Sequence, residues 1–426
     1  MEKTKRVLII SPYFIPFNTP DMQRVRMSLP YFKSLGWEAE VVAVDPKFSE
    51  FNQEPLLSQT IPTDIKIHYV KALSKVRTMK FGLGSIAIRS LKFYHKKVSE
   101  LLSTKSFDLV YFSTTQYPVC VLGSIWKRKF RIPYIIDVQD PWHTDYYKNK
   151  PRAERPKKYW FSYRLNKYLE PMAMKNCDGL ISVSKTYLDE LTSRYPQLEQ
   201  IPKSVITFGY SEIDQQTANK IIVQHDKNKG QFSLLYTGVL GSMMLRSLNV
   251  LFGALKQSLT FKDKFELKFV GTSYAPGKTA KKTAEPVFKK YDLQSNITEE
   301  TNRIGLLETI RSLQNADGLV IIGTDDPAYT ASKIYPYLQS RKPILAILHP
   351  DSVAYHFLKT VSNAIVIKLS ASLEETSQQI SEYLQRVMLK QALHLNESIF
   401  ESFSAKRLTE KQVELFNAVD RAQYMH

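Results

Sequence analysis

Residues 329–347 read YTASKIYPYLQSRKPILAI. A polar turn from Tyr329 to Lys333 opens a short helix, Arg341-Lys342-Pro343 closes it, and Ile344-Leu345-Ala346-Ile347 is an unbroken apolar strand. Ser332 is a candidate N-cap. Pro336 fits a helix only near its first turn, where the backbone N–H has no helical partner, so the helix N-terminus is expected at Ser332–Lys333. Free N–H groups, the helix dipole and the Lys333 ammonium then meet at one point, which suits a phosphate.

The same alternation of strand and helix runs outward along the chain. Strands are expected at 6–11, 38–44, 65–70, 108–112, 134–137, 179–183 and 204–208, then at 233–237, 266–270, 296–298, 318–322, 344–347 and 364–369. Most are short continuous apolar runs, as parallel strands covered on both faces require. Helical stretches separate them, so the fold class is α/β, built of doubly wound parallel sheets. Thirteen strands exceed one ordinary sheet, and two domains are the more economical reading. The polar stretch 215–230 marks the break, giving 1–214 and 215–404. After Leu369 the pattern is entirely helical.

Several strands run into glycine or carboxylate at the end where open α/β sheets bind ligands. Strand 233–237 leads into Gly238 and Gly241, then Arg246, whose guanidinium could grip a diphosphate in two-pronged fashion. Strand 266–270 leads into Gly271. Strand 318–322 leads into Asp325 and Asp326, which could bind sugar hydroxyls or simply cap a loop. In the first half, strand 6–11 leads towards Asp21, Arg24 and Arg26, and strand 134–137 leads into Asp137-Val138-Gln139-Asp140-Pro141-Trp142. Asp140 could take a proton from a substrate hydroxyl, or serve as an N-cap with Trp142 in the core. Arg24 reads equally as a solvated helix arginine. His143 beside Trp142 reads as structural.

Taken in chain order, these segments resemble family 4 glycosyltransferases of the GT-B fold. The segment YTGVLGSMMLRSL is similar to the family's YTG…R-S pattern, Phe269-Val270-Gly271 to its VG element, Asp137–Trp142 to its D-x-x-D-P-W variant, and Lys333 with Lys342-Pro343-Ile344-Leu345-Ala346 to its donor segment. The resemblance implies two Rossmann-like domains facing a central cleft, with the last helix, near 405–426, returning to complete the first domain. It implies transfer of a sugar from a nucleotide diphosphate sugar to a hydroxyl acceptor, lipid-linked or not, with retention of configuration, in surface polysaccharide or glycolipid synthesis. Asp140, Arg246 and Lys333 would be catalytic. Gly238, Gly241, Gly271, Arg303, Asp325, Asp326 and Ser332 would bind donor, with the base near 296–304, and Arg24 and Trp142 would bind acceptor. No cofactor and no metal are expected. The chain departs from the family at two places: Ala328 and Pro336 stand where two glutamates, one for the sugar and one for the ribose, are common.

Composition narrows the partners. The net charge is +18 over 426 residues, with 33 Lys and Arg against 19 Asp and Glu in residues 1–210. A basic N-terminal half implies an acidic partner surface. Two segments interleave cations with apolar side chains. One, 71–97, carries Lys75, Arg77, Lys80, Arg89, Lys92, Lys96 and Lys97; the other, 148–167, sets Trp160, Phe161 and Tyr163 beside a cationic run. Both suit an anionic membrane surface, and both also suit an ordinary amphipathic helix. Nucleic acid is disfavoured, because no stacking platform or recognition motif is visible. Cys120 and Cys177 make neither a disulfide framework nor a metal cluster, and no apolar run is long enough to span a bilayer. Residues 6–11 are too short for a signal sequence. A cytoplasmic protein, peripheral at the inner membrane face, is expected. Two other functions stay open: a nucleotide-sugar epimerase of the same fold, and a non-catalytic relative acting as a partner protein.

Overall fold

The computed structural model describes residues 4–49, 51, 53–80, 82–148, 150–155, 158–223, 230–257, 261, 264–275, 279–327 and 333–423. Two sheets carry the chain. The first contains β1 (Lys5–Ile10), β2 (Trp37–Val44), β3 (Lys66–Val70), β4 (Leu109–Ser113), β5 (Tyr134–Val138), β6 (Gly179–Ser182) and β7 (Lys203–Val205) in the order β3-β2-β1-β4-β5-β6-β7. The second contains β8 (Phe232–Thr237), β9 (Phe265–Val270), β10 (Ile297–Glu300), β11 (Gly318–Ile322), β12 (Ile344–Leu348) and β13 (Ile365–Lys368) in the order β10-β9-β8-β11-β12-β13. Neighbouring strands pair in parallel throughout. Each sheet therefore reverses its winding once, beside its first strand. That is the switch point where doubly wound sheets open a crevice for ligand.

The apolar runs have the predicted cause. Central strands β4, β5, β11 and β12 are buried at every position. In β8, Leu234 and Tyr236 pack in one hydrophobic cluster and Leu235 in another, on opposite faces of the sheet. β11 divides likewise, Val320 and Ile322 against Leu319 and Ile321. The edge strand β10 instead alternates buried and exposed residues. β7 is shorter than the predicted run to residue 208. Ile206 still donates its N–H to Ser182, but the carbonyls of Ile206 and Thr207 turn to accept from Arg24.

The chain divides into two compact units, 1–208 with 405–426, and 209–404. Residues 209–214 belong with the second unit because Ser211 and Gln215 exchange hydrogen bonds with Gln339. The terminal helix Ala405–Gln423 packs in the first unit. Phe416 lies between Phe32, Trp37 and Tyr111 at 5.1–5.8 Å between ring centres. Gln412 bonds Ser28 at 2.6 Å and Lys5 pairs with Asp420 at 2.9 Å. No helix among the described residues is long and apolar enough to cross a membrane.

Gly179 opens β6 directly beneath that helix. A methyl group there would stand 2.8 Å from Val419 Cγ2 and 3.1 Å from Ile135 Cγ1. Gly179→Ala should therefore overpack the seam and destabilise the first unit by about 1–3 kcal/mol. Urea unfolding followed by tryptophan fluorescence would read this, and an unchanged midpoint would show that the helix yields freely.

Candidate functional site

In the second unit the carboxyl ends of β8 and β9 are bare backbone. Gly238, just past β8, has φ +121°, and Gly271, just past β9, has φ +74°, conformations that side-chain-bearing residues rarely adopt. Gly238 donates its N–H to Val270 at 2.9 Å, which ties the two loops together. A β-carbon on Gly271 would lie 3.6 Å from Arg303 Cα, and one on Gly238 would lie 3.5 Å from Lys333 Nζ. Gly238, Gly271, Arg303 and Lys333, far apart in sequence, are thus neighbours at one sheet edge.

Lys333 is held there by an unforeseen partner. Its Nζ donates to Tyr236 Oη at 2.7 Å and stands 4.1 Å from that ring's centre. Tyr236 is fully buried and itself donates to the Val239 carbonyl. Lys333 is half-buried, with its ammonium end the shielded part, and this loss of hydration pushes its pKa down to about 7. Tyr337 on the following helix accepts from the Thr237 N–H at 2.8 Å, fixing the end of β8 against that helix.

The helix itself is shorter than predicted. It runs Ile334–Gln339 with Lys333 at the N-cap and no side-chain cap bond. Pro336 falls in its first turn, where a missing N–H costs nothing. A six-residue helix has little macrodipole, so the expectation of a helix-dipole phosphate site is corrected: the charge at this edge is the Lys333 ammonium. Ser332 and Ala328 lie outside the described residues.

The other predicted donor residues stand round about. Arg246 is exposed near the start of the helix Leu245–Gln257 and has no ion-pair partner among the described residues. Gly241 faces open space. Asp325 and Asp326 are exposed beyond β11, where the Asp325 N–H reaches the Met243 carbonyl at 3.3 Å. The base-binding reading of 296–304 needs correction. Residues 297–300 form β10, and buried Glu299 is taken up by Thr272 Oγ1 and by the Thr283 and Glu285 N–H groups. Only the loop from Thr301 onward is open, where the Arg303 guanidinium lies 5.3 Å over the exposed ring of Tyr274.

In the first unit a buried polar cluster sits at the corresponding edge, where β1, β4 and β5 end. Asp137 is inaccessible to solvent, and its Oδ2 accepts from Arg24 Nε, Ser113 Oγ and Gln139 Nε2, each at 2.8 Å. Its Oδ1 has no hydrogen-bond partner among the described residues. Gln139 also reaches the Asp21 carbonyl. The Asp21 carboxylate accepts from Thr114 Oγ1 at 3.0 Å, and burial raises its pKa. Asp140 alone extends its side chain outward. Partial desolvation first, and the Asp21 charge second, raise its pKa too.

Two acceptor assignments are corrected. Arg24 is buried and its guanidinium is committed to Asp137 and to the Ile206 carbonyl at 2.6 Å, so it braces the strand ends instead of meeting a ligand. Trp142 is buried, stacked on Tyr117 at 5.3 Å and bonded to Asn166, which makes it core. No cluster of metal-ligating side chains is found among the described residues.

Solved structures place this architecture. The α,α-trehalose 6-phosphate synthase of Burkholderia multivorans aligns with TM-score 0.57 over 99% of this chain and 98% of its own, at 9% identity. Sucrose-phosphate synthase of Thermosynechococcus elongatus aligns with TM-score 0.53 over 99% and 96%, at 12% identity. Anabaena HepE in complex with UDP aligns with TM-score 0.51 over 99% of each chain, at 12% identity. The fold is GT-B. No protein-family model matches the chain. A curated relative, the HTH-type transcriptional repressor PurR of Klebsiella pneumoniae (strain 342), is 27% identical over 139 residues, and the chain spans about a third of that relative's length.

Within this GT-B chain, the sequence reading of the site gave no role to Tyr236, Tyr337, Asp21 or Gln139. A lone tyrosine in an apolar strand gives no sign that a lysine some hundred residues later will bond it. Arg24 offers a direct test of the first-unit cluster. Arg24→Met would strand the Asp137 charge in the interior, an expected loss of about 3–5 kcal/mol. Guanidinium unfolding of the variant measures it, and a loss below about 1 kcal/mol would show that the pair is not what holds these strand ends.

Proposed function

We propose that this protein is a glycosyltransferase that moves a sugar from a nucleotide diphosphate donor to a hydroxyl acceptor. The observation that carries this reading is the meeting of Lys333 Nζ with the positive-φ backbone at Gly238, beside Gly271 and Arg303. A bare backbone lets a diphosphate approach closely, and an ammonium supplies its counter-charge. The HepE structures, one holding UDP and another UDP-glucose, support the donor class.

In this reading Lys333 and Arg246 neutralise the diphosphate as it leaves, when its charge is greatest. Arg303 and the exposed Tyr274 face the nucleotide. Asp325 or Asp326 serves the sugar hydroxyls in place of the absent glutamate at Ala328. Asp140 is the acceptor-side carboxylate: its raised pKa moves it towards exchanging a proton with a hydroxyl. Asp21, Asp137 and Gln139 set the loop from which it projects. Retention of configuration and a surface-polysaccharide or glycolipid acceptor are the finer expectations of the same reading. The sequence at Ala328 and Pro336, lacking both usual carboxylates, favours one alternative, a nucleotide-binding relative without transferase activity.

Calorimetric titration with nucleoside diphosphates should find a ligand that Lys333→Ala binds at least tenfold more weakly, as loss of a charge-assisted hydrogen bond worth about 1.5–3 kcal/mol requires. Equal affinity in the variant removes Lys333 from the site. Mixing the corresponding nucleotide sugar with hydroxyl acceptors should release the diphosphate only when acceptor is present. A free epimer formed without acceptor would point to epimerisation, and tight binding without turnover to the non-catalytic alternative.

The shifted lysine also gives a pH signature. Between pH 7 and about 10.5 the unfolded chain holds the Lys333 proton and the folded chain releases it, so this residue's contribution to stability rises with pH in that window. A bound diphosphate favours the ammonium and restores the proton. Titration at pH 8 in two buffers of different ionisation enthalpy should show uptake approaching one proton per diphosphate beyond that seen with Lys333→Ala. Equal uptake by the two proteins contradicts the assignment.

A further inference from the structure

The helix Tyr159–Met174 is amphipathic in the wrong sense for a purely structural helix. Its inward side carries Tyr159, Glu170, Ala173 and Met174. Its outward side carries Phe161, Tyr168 and Met172, exposed by 43%, 69% and 44%. At 100° per residue these three fall within a narrow arc, and exposed Arg164 shares it. Exposed Lys175, just beyond the helix end, continues the stripe. Trp160, 48% exposed, flanks it.

A second segment adjoins the first. The short helix Lys75–Met79 exposes Val76 and Met79, the former by 76%, with Arg77 and Lys80 exposed beside them. Lys158 Nζ donates to the Met79 carbonyl at 3.1 Å, and a β-carbon on Gly82 would lie 3.1 Å from the Phe161 ring. The two basic-aromatic segments of the sequence are therefore one surface. Not all their cations share it: Arg89 is buried, with Nη1 on the Leu73 carbonyl and Nη2 on that of Phe48.

We propose that this surface docks the first unit on an anionic lipid bilayer, with Val76, Met79, Phe161, Tyr168 and Met172 entering the headgroup region and Arg77, Lys80, Arg164 and Lys175 meeting lipid phosphate. Charge complementarity selects the occupant. From 71 to 80 there are four cations and no acid, and on the outward stripe of the longer helix the charged groups are all cationic. The apolar members exclude the other polyanion. A nucleic acid uses cations and stacking rings, and has no use for exposed Val76, Met79 and Met172. A membrane uses both sets, since apolar insertion and electrostatic attraction reinforce each other. This surface is independent of the donor chemistry and stands or falls without it.

Co-sedimentation of the full chain with vesicles provides the test. Binding is expected to phosphatidylcholine vesicles containing about one third phosphatidylglycerol and not to phosphatidylcholine alone, and it should weaken severalfold as salt rises. Val76→Asp with Met172→Asp, and separately Arg164→Glu with Lys175→Glu, should each weaken binding at least tenfold. The midpoint of thermal unfolding should hold, because all four side chains reach solvent. Quenching of tryptophan fluorescence by brominated acyl chains should occur in the wild type and largely vanish in Trp160→Phe. Failure to bind anionic vesicles, equal binding to neutral ones, or wild-type affinity in either double variant overturns the proposal. So does tight binding of a single-stranded oligonucleotide that is lost in the charge variant alone. None of these measurements needs a nucleotide sugar, so failure here leaves the transferase reading untouched.

Discussion

A parallel sheet covered by helices on both faces has nowhere to place a polar side chain except at its ends. The central strands of both sheets obey that constraint, with β4, β5, β11 and β12 buried along their whole length. Chemistry is pushed to the carboxyl ends of the strands beside each switch point. There the second unit offers bare glycine backbone and a lysine, and the first unit offers a knot of carboxylates, hydroxyls and one guanidinium.

The two edges solve the problem of burying charge differently. Lys333 has no carboxylate partner among the described residues; it rests on a tyrosine hydroxyl, and burial leaves its proton loosely held. That is a poor arrangement for stability and a suitable one for a site that awaits an anion. Arg24 and Asp137, by contrast, form an ion pair buried inside the fold. Such a pair contributes little net stability over an apolar pair, yet is costly to break. Its work is to hold the ends of β5 and β7 and the loop bearing Asp140 in one arrangement.

The charge excess of the N-terminal half acquires a location in the same way. Part of it is internal bracing, as at Arg24, Arg26 and Arg89, all buried. Another part lies on one outward surface with exposed aromatic and aliphatic groups. Net charge says that an acidic partner is favoured, but only the division between buried and exposed cations says where.

The sequence by itself determined the thirteen strands, their parallel arrangement in two sheets and the glycines that follow β8 and β9, because continuous apolar runs and strand-end glycines are local signals. It also brought Lys333 forward, through the polar turn before a short helix. Tertiary structure decided what these residues touch. It took Arg24 and Trp142 out of contact with any ligand, gave buried Glu299 to Thr272, Thr283 and Glu285, and gave Lys333 to Tyr236. It also joined two basic-aromatic segments some eighty residues apart. Local pattern fixes which face a side chain takes relative to its own strand or helix. Which distant group meets that face depends on how the elements pack, and periodicity carries no record of it.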